Sequence, residues 1–387
     1  MFRNALQKRL RIECLEEKIA LAANLTVDVI DGDLVITGDA EPNSFLLEKT
    51  FNELDGQFRI VNRGPLGDTI NGDTNQEYFV SGVTRDIVIN LGEGDDKARI
   101  YGFPLIDGSL DLNVPRDLVI NADGGNDQIY LGITEDFDFG TTFSGPVNVG
   151  RDLTINGGAG DEIVWTTDIN VGDDLTLVDT QGSIDYQNLF GFEFLSGDRS
   201  YVADNYSVVT GSGNDVVGVV DTVVGGNVSL SLGGGDDLGV VLVSEIGGGV
   251  AMSLGAGFNE AQIEQLTVGG GVGVVGSGTN NIFVAGVTAN TVTVVTGSAN
   301  DSVQFFSVTA GMATIATFGG ADSVSLTDSA FDLLMVHLGA GSDELTLQNV
   351  DVSVLALLIG GGGTDTFNDL GDNDLNLLLD LGFEIFN

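Results

Sequence analysis

Aspartates at regular intervals are the residues of this chain whose type and spacing most clearly suggest chemistry. Each closes a glycine-rich phrase of the form Gly-x-Gly-x-Asp, such as Gly339-Ala-Gly341-Ser-Asp343. Between 215 and 365 the closing position, Asp or Asn, recurs at intervals of 22, 22, 21, 21, 21, 21 and 22 residues. Because hard cations such as Ca²⁺ prefer carboxylate oxygens, the series predicts calcium or another divalent cation as ligand. The predicted metal ligands are Asp96, Asp127, Asp215, Asp237, Asp301, Asp322, Asp343 and Asp365.

A fixed period of this length is typical of a solenoid, in which each repeat is one coil that cannot bury its apolar face alone. Within the repeats apolar residues alternate at the strand period, as Val303 and Phe305 do after Asp301. The period therefore predicts an all-β fold, a single-stranded, right-handed parallel β-helix with 21–22-residue coils. Coils stacked about 4.8 Å apart bring neighbouring carboxylates close enough for an intervening cation to be favourable. The alternative is that Asp and Asn only form turns or a stacked side-chain ladder.

The Gly-x-Gly-x-Asp turns resemble those of the haemolysin-type, or repeats-in-toxin, calcium-binding family. In that family backbone carbonyls and Asp carboxylates of neighbouring turns coordinate Ca²⁺, so the resemblance implies the same ion here. The present chain carries one such turn per coil, whereas the family uses consecutive nonapeptides. Asn259, Asn280, Ala299 and Phe318 also depart from the family's pattern.

The chain divides into three parts by its pattern. Residues 1–24 are a targeting-like segment or a capping helix, 25–81 read as an irregular β cap, and 82–387 as the solenoid. Asp31-Gly32 and Asn71-Gly72 predict tight turns within the cap. In the solenoid, longer repeats predict loop insertions near 103–113, 133–148 and 186–206. At the third turn, either one residue is missing before Asp161 or Glu162 takes the place of the aspartate.

The first residues carry a second resemblance. The phrase Arg9-Leu-Arg-Ile-Glu-Cys-Leu-Glu-Glu-Lys-Ile-Ala-Leu-Ala22 is similar to the N-terminal motif of large exported planctomycete-type surface proteins. The resemblance implies export, and hence an extracellular or cell-surface location. Cys14 is the only cysteine, so the fold contains no intramolecular disulfide.

Charge narrows the class of partner. The net charge is −43, and no Lys or Arg follows Arg199. Such a chain repels the phosphates of nucleic acids and anionic lipids, and it favours divalent cations or basic partners. No apolar run approaches the roughly 18 residues of a membrane span. We therefore expect neither nucleic-acid binding nor a membrane span.

An enzymatic role is the main alternative, because parallel β-helices also carry polysaccharide lyases and hydrolases. His337, the only histidine, is expected to face outward without triad partners. The strongest constellation is a repeated pair that offers an Arg beside carboxylates. Simple repetition favours instead an ion-pair ladder that neutralises itself from coil to coil. The pairs are Arg85-Asp86, Arg116-Asp117, Arg151-Asp152 and Asp173-Asp174.

Carbohydrate binding is a third reading. The insertion near 186–206 is rich in aromatic residues, which could stack on sugars, although their alternation favours a buried strand. We expect a secreted or surface-displayed, non-enzymatic structural or adhesive module, whose partner is an extracellular polysaccharide or another surface protein. The aromatic residues are Tyr186, Phe190, Phe192, Phe194, Tyr201 and Tyr206.

Overall fold

The computed structural model describes residues 22–50, 57–105, 108–132, 145–179, 181–188 and 199–387. Every regular element in these ranges is a β-strand, and the strands are numbered β1 to β42 in chain order. They stack into a parallel β-solenoid, which confirms the fold predicted from the period.

Two long sheets run along the solenoid, one of 24 strands and one of 16 strands. The larger sheet contains β1 (Asn24–Ile30), β2 (Asp33–Thr37), β5 (Thr69–Ile70), β7 (Ile87–Asn90), β11 (Leu112–Val114), β12 (Leu118–Gly124), β14 (Val147–Val149), β15 (Leu153–Ala159), β17 (Ile169–Val171), β18 (Leu175–Val178), β20 (Ser200–Val202), β21 (Tyr206–Val209), β23 (Thr222–Val224), β24 (Val228–Ser231), β26 (Glu245–Ile246), β27 (Val250–Gly255), β29 (Thr267–Val268), β30 (Gly271–Gly276), β32 (Thr288–Val295), β34 (Thr309–Ala316), β36 (Ala330–Gly341), β38 (Asp351–Gly363), β40 (Asp374–Leu375) and β41 (Leu378–Leu381). The smaller sheet contains β3 (Ser44–Lys49), β4 (Gln57–Asn62), β6 (Glu77–Ser81), β8 (Lys97–Tyr101), β13 (Gln128–Leu131), β16 (Glu162–Thr166), β19 (Ile184–Asn188), β22 (Val216–Val220), β25 (Leu238–Leu242), β28 (Phe258–Glu264), β31 (Thr279–Ala285), β33 (Ser302–Phe306), β35 (Ser323–Thr327), β37 (Glu344–Gln348), β39 (Thr366–Asp369) and β42 (Ile385–Phe386).

Successive coils pair in register, so residues of the same kind stack on one another. Val303 pairs with Val324, and Val324 pairs with Leu345. These side chains point inward and are fully buried, whereas the residues between them face outward, as a strand requires. The inward residues of both sheets form one continuous apolar core along the solenoid.

The N-terminal part is irregular, as predicted for residues 25–81. Strands β1 and β2 form an antiparallel hairpin whose turn is Asp31-Gly32, with φ of 52° and 93°. Strands β3, β4 and β6 are also antiparallel to one another. Parallel stacking on the following coils begins with the pairs β2–β7 and β3–β8. The predicted segment 1–24 lies almost entirely outside the described residues.

The predicted insertions are described in part. In the first, β9 (Phe103–Leu105) and β10 (Gly108–Leu110) form a separate antiparallel hairpin. Residues 133–144, most of the second insertion, and residues 189–198, about half of the third, lie outside the described residues. Beyond the first two insertions the chain rejoins the stack in register, with Leu112 paired to Val147.

Candidate functional site

Each coil contributes one side chain from the start of its strand in the smaller sheet. These side chains stack in one row along the solenoid, which we call the acidic column. Strand register places its members directly above one another. All eight predicted metal ligands lie in it, and each is at most 3% exposed. The column consists of Asn43, Asp96, Asp127, Glu162, Ile184, Asp215, Asp237, Asn259, Asn280, Asp301, Asp322, Asp343, Asp365 and Glu384.

Glycine turns bring these side chains together. In the coil that leads to Asp237, Gly233 and Gly235 have φ of 78° and 139°, a region that favours glycine. A Cβ added at Gly235 would overlap the carbonyl oxygen of Gly213 in the preceding coil. Glycine therefore lets the turns nest directly on one another, which keeps successive carboxylates one coil apart.

One oxygen of each aspartate holds the coils together. The backbone N–H of Asp301 donates to Oδ1 of Asp322 at 2.8 Å, Asp322 donates to Asp343 at 2.9 Å, and Asp343 donates to Asp365 at 3.0 Å. Asparagine serves equally well, because Asp237 N–H donates to Oδ1 of Asn259 at 3.1 Å. The stacked side-chain ladder that the sequence left open is present.

The second oxygen has no such partner. Oδ2 of every aspartate in the column is buried without a hydrogen bond. An ionised carboxylate in this position loses its hydration without compensation, so the charged form is disfavoured. The column must therefore be neutralised, by protons or by cations.

Protonation is eased by the environment. Burial, reinforced by the negative charge of neighbouring carboxylates, raises the pKa of Asp96 to about 7. The same causes raise the pKa of Asp127, Asp237 and Asp322 to about 6 in each case. Hydrogen bonds from the backbone oppose these shifts only in part.

Glu162 is the member of the column that interacts with a further acid. It occupies the aspartate position, which settles the alternative left open for that turn. Burial, and then the adjoining Asp179, raise the pKa of Glu162 to about 9. Asp179 is itself 1% exposed. Burial and the adjoining Asp179 thus favour the protonated form of Glu162.

The fit to a metal ion is limited by the single-file geometry. Within the described ranges no three His, Cys, Asp or Glu side chains converge on one point. A cation would have to lie between two stacked carboxylates and take its remaining oxygens from backbone or water. The calcium assignment stays a prediction.

The repeated Arg-Asp pairs form an ion-pair ladder on the surface. Arg116 Nε lies 3.4 Å from Oδ1 of Asp86, and Arg151 Nε lies 3.5 Å from Oδ1 of Asp117. Each Arg thus pairs with the Asp of the preceding coil. Their side chains are 38% and 46% exposed, so each pair contributes about 1 kcal/mol or less.

The remaining predicted residues fall in different places. Tyr206 is buried in the core and Tyr201 is 45% exposed. Phe190, Phe192 and Phe194 lie outside the described residues, and for Tyr186 only the strand is described. His337 faces outward as predicted, with its ring edge-on to Phe318 at 6.3 Å.

A second, exposed ladder was missed by the sequence reasoning. It is formed by the residue before each column member in the coils from Asp95 to Phe258. Asn126 N–H donates to Oδ1 of Asp95 at 2.9 Å, and Asp236 N–H donates to Oδ1 of Asn214 at 2.8 Å. The doublets Asp-Asp and Asn-Asp at the end of several turns were the available signal.

Fold and ladders together define the class of protein as a parallel β-solenoid whose coils are joined by polar side-chain ladders. Comparisons of the chain with protein-family models, with curated proteins and with solved structures find no match. In the part of the chain that the structure describes, no helix is long and apolar enough to cross a membrane.

Proposed function

We propose that the protein is a secreted or cell-surface structural or adhesive module that does not catalyse a reaction. The observation that carries this proposal is that its polar side chains bond to the next coil in one repeat after another. For example, Asn156 Nδ2 donates to Asn121 Oδ1 at 2.7 Å, and Asn121 Nδ2 donates to Asn90 Oδ1 at 2.7 Å. Polar side chains that bond from coil to coil hold the solenoid together as a long, rigid rod. Export is supported by the N-terminal resemblance, and the partner we propose is an extracellular polysaccharide or another surface protein.

A direct test of the non-catalytic role uses the Arg-Asp ladder. The protein is incubated with acidic and neutral polysaccharides, and new reducing ends and unsaturated products are measured. We expect none above the buffer level. Arg116→Ala with Arg151→Ala should lower the melting temperature slightly and leave this baseline unchanged. Turnover by the wild type that disappears in the double variant would refute the proposal.

We further propose that calcium stabilises the module through the acidic column. Support comes from the unpaired Oδ2 atoms and from the stacking of like charges one coil apart. A divalent cation between two such carboxylates would neutralise both and give each Oδ2 a partner. The absence of Lys and Arg after Arg199 leaves no basic side chain to compete for this role in the last nine members of the column.

Melting curves in calcium, in chelator and in sodium of matched ionic strength test the calcium proposal. At a hundred times its dissociation constant, calcium should add about 2.7 kcal/mol per independent site to the free energy of unfolding. Asp343→Asn with Asp365→Asn should remove part of this gain, because Asn keeps the Oδ1 acceptor but not the charge.

The matched control is Asp351→Asn with Asp374→Asn. These two aspartates are exposed, stack on one another and lie outside the column, so the calcium effect should persist. Equal melting in calcium and sodium would mean that protons neutralise the column, and it would overturn the calcium proposal while leaving the module proposal intact.

A further inference from the structure

The outer face of the larger sheet changes character along the solenoid. In β32 its central outward residue is Thr293, and in β34 it is Thr314. From β36 onward the outward residues become aliphatic, and we call this region the apolar face. Its main members are Leu333, Met335, Leu355, Leu357, Leu379 and Leu381.

Strand register makes the apolar face continuous. Met335 pairs with Leu357, and Leu357 pairs with Leu379, so these three side chains form its central column. The residues between them, such as Val336 and Leu358, point inward and are buried in the core. Strands β36 and β38 are paired on both edges, so the face lies on the side of the solenoid and further coils would not cover it.

The face is partly exposed, with Leu333, Leu355 and Leu357 half-buried and its other main members exposed. Met335 is 41% exposed, Leu379 is 48% and Leu381 is 57%. Three coils about 4.8 Å apart and five residues at about 3.3 Å each give a flat area of roughly 15 Å on a side. This flat area is at the lower limit of the contiguous apolar patches, on the order of a few hundred Å², that mark interaction sites on a soluble surface.

The charges in and around the apolar face limit the kinds of molecule that could bind to it. The outward positions that form the face, from Leu333 to His337 and their register partners in β38 and β41, include no acid, although the chain carries a net charge of −43. A basic protein would find no carboxylate in the face to pair with. An anionic membrane would find no Lys or Arg, and the surrounding acids would repel it. A flat, uncharged, aliphatic sheet is matched best by a second face of the same kind.

The edges of the face also suit a second copy. Asp332 is exposed at the start of β36, at the same edge of the face as exposed Asp351 and Asp374 of the next two coils. His337 is exposed on the opposite side. A two-fold axis parallel to the solenoid axis would reverse the strands and leave each coil opposite its own counterpart. Asp332 would then lie over His337 of the partner subunit, and the central column over its own copy.

We propose that the apolar face joins two copies of this chain, sheet against sheet, with their solenoid axes parallel. Stable interfaces bury about 800 Å² per partner, and the flat area of this face, roughly 225 Å², is about a quarter of that. We therefore expect a weak, reversible dimer with a dissociation constant on the order of 100 µM.

Sedimentation velocity from about 5 µM to about 1 mM, on either side of that constant, tests the proposal. The wild type should pass from monomer to dimer. Met335→Thr with Leu357→Thr extends the threonine column of β32 and β34, so the fold should be kept while dimerisation weakens about tenfold or more. The control, Ser325→Thr with Thr346→Ser, alters the smaller sheet and should dimerise normally. A wild-type monomer throughout, or an unaffected variant dimer, would overturn the proposal.

Cross-linking tests the same dimer without relying on the threonine variant, which could fold poorly. In a Cys14→Ser background, Leu357→Cys places a thiol on the proposed two-fold axis, and Thr346→Cys places one on the opposite sheet. Oxidation with copper-phenanthroline, with oxygen as electron acceptor, should link the first variant into disulfide dimers and leave the second monomeric. Equal cross-linking of both, or sedimentation with phosphatidylcholine vesicles in place of dimerisation, would exclude the paired faces.

Discussion

At the residue scale, the acidic column places carboxylic acids where proteins ordinarily place apolar side chains. Asp322 illustrates the balance: one oxygen accepts a backbone N–H at 2.8 Å, and the other is buried without a partner. Its neutral form retains the useful acceptor and avoids the cost of a buried charge. The fold therefore favours protonated aspartates, whereas carboxylates in surface ion pairs favour the ionised form.

This preference predicts an unusual dependence of stability on pH. The pKa is raised to about 7 for Asp96 and to about 6 for Asp127, Asp237 and Asp322, from about 3.9 in the unfolded chain. Groups with raised pKa contribute stability that is fully present below the unfolded value and is lost as pH rises through the folded value. When chelator is present, the free energy of unfolding should fall as the pH rises from about 5.5 to about 7 and should level off above that range.

Urea unfolding at several pH values in this interval measures the effect. Exposed carboxylates titrate near pH 4, so they contribute little to the slope there. Asp322→Asn should make the slope shallower, because Asn has no proton to lose and retains the Oδ1 acceptor. Asn280, whose Nδ2 donates to the carbonyl of Gly278 at 2.6 Å, is a native precedent for such a side chain in the column. A stability that rises over this interval would contradict the argument.

At the element scale, the ladders fix the register of the strands. The N–H of Asp301 reaches Oδ1 of Asp322 only when the two coils stand in register. A slip of one residue would turn the aspartate outward and place Ser302 in the core. The apolar residues impose the same alignment, since Val303 and Phe305 alternate with outward residues. Polar and apolar side chains thus specify one stacking arrangement.

The coils, strands and turns of the solenoid could be predicted from the sequence, because the patterns that specify them are local and repeated. The 21–22-residue period predicted the coils, alternation predicted the strands, and the glycines predicted the turns. The alternation of the strands also implies that the aspartates are buried. Asp301 lies two residues before Val303, so the strand period puts both on the inward face. The resemblance to calcium-binding turns directed attention to ion ligands instead.

Other features could not be predicted, because nothing local specifies them. Asp179 lies outside the column but adjoins Glu162, and the spacing of the repeats does not predict this contact. The antiparallel arrangement of β3, β4 and β6 depends on which edge each strand finds after a long connection. The apolar face of β36 and β38 becomes visible only when register shows that Met335 and Leu357 are adjacent on the outer side of the sheet.

At the scale of the whole molecule, repulsion between negative charges opposes the fold. The net charge is −43, and the coils concentrate it by stacking exposed acids such as Asp351 and Asp374 directly on one another. Arg199, which pairs with Asp221 at 2.7 Å, is the last basic residue of the chain. Beyond it, self-repulsion is relieved only by solvent ions, protons or bound cations.

Simple salt should therefore stabilise the molecule. Raising NaCl from about 0.01 to about 0.1 M shortens the screening length from about 30 to about 10 Å, which weakens repulsion between exposed coils. The unfolded chain keeps its charges farther apart and gains less, so the melting temperature should rise by several degrees, mainly within this interval. The measurement is made at pH 7.5 in chelator and at a protein concentration well below that of dimer formation, because association would add its own stabilisation. Choline chloride is the control, since screening does not depend on the chemistry of the cation. A rise seen with sodium but not with choline would point to specific binding, and no rise with either would show that the stacked surface acids do not limit stability.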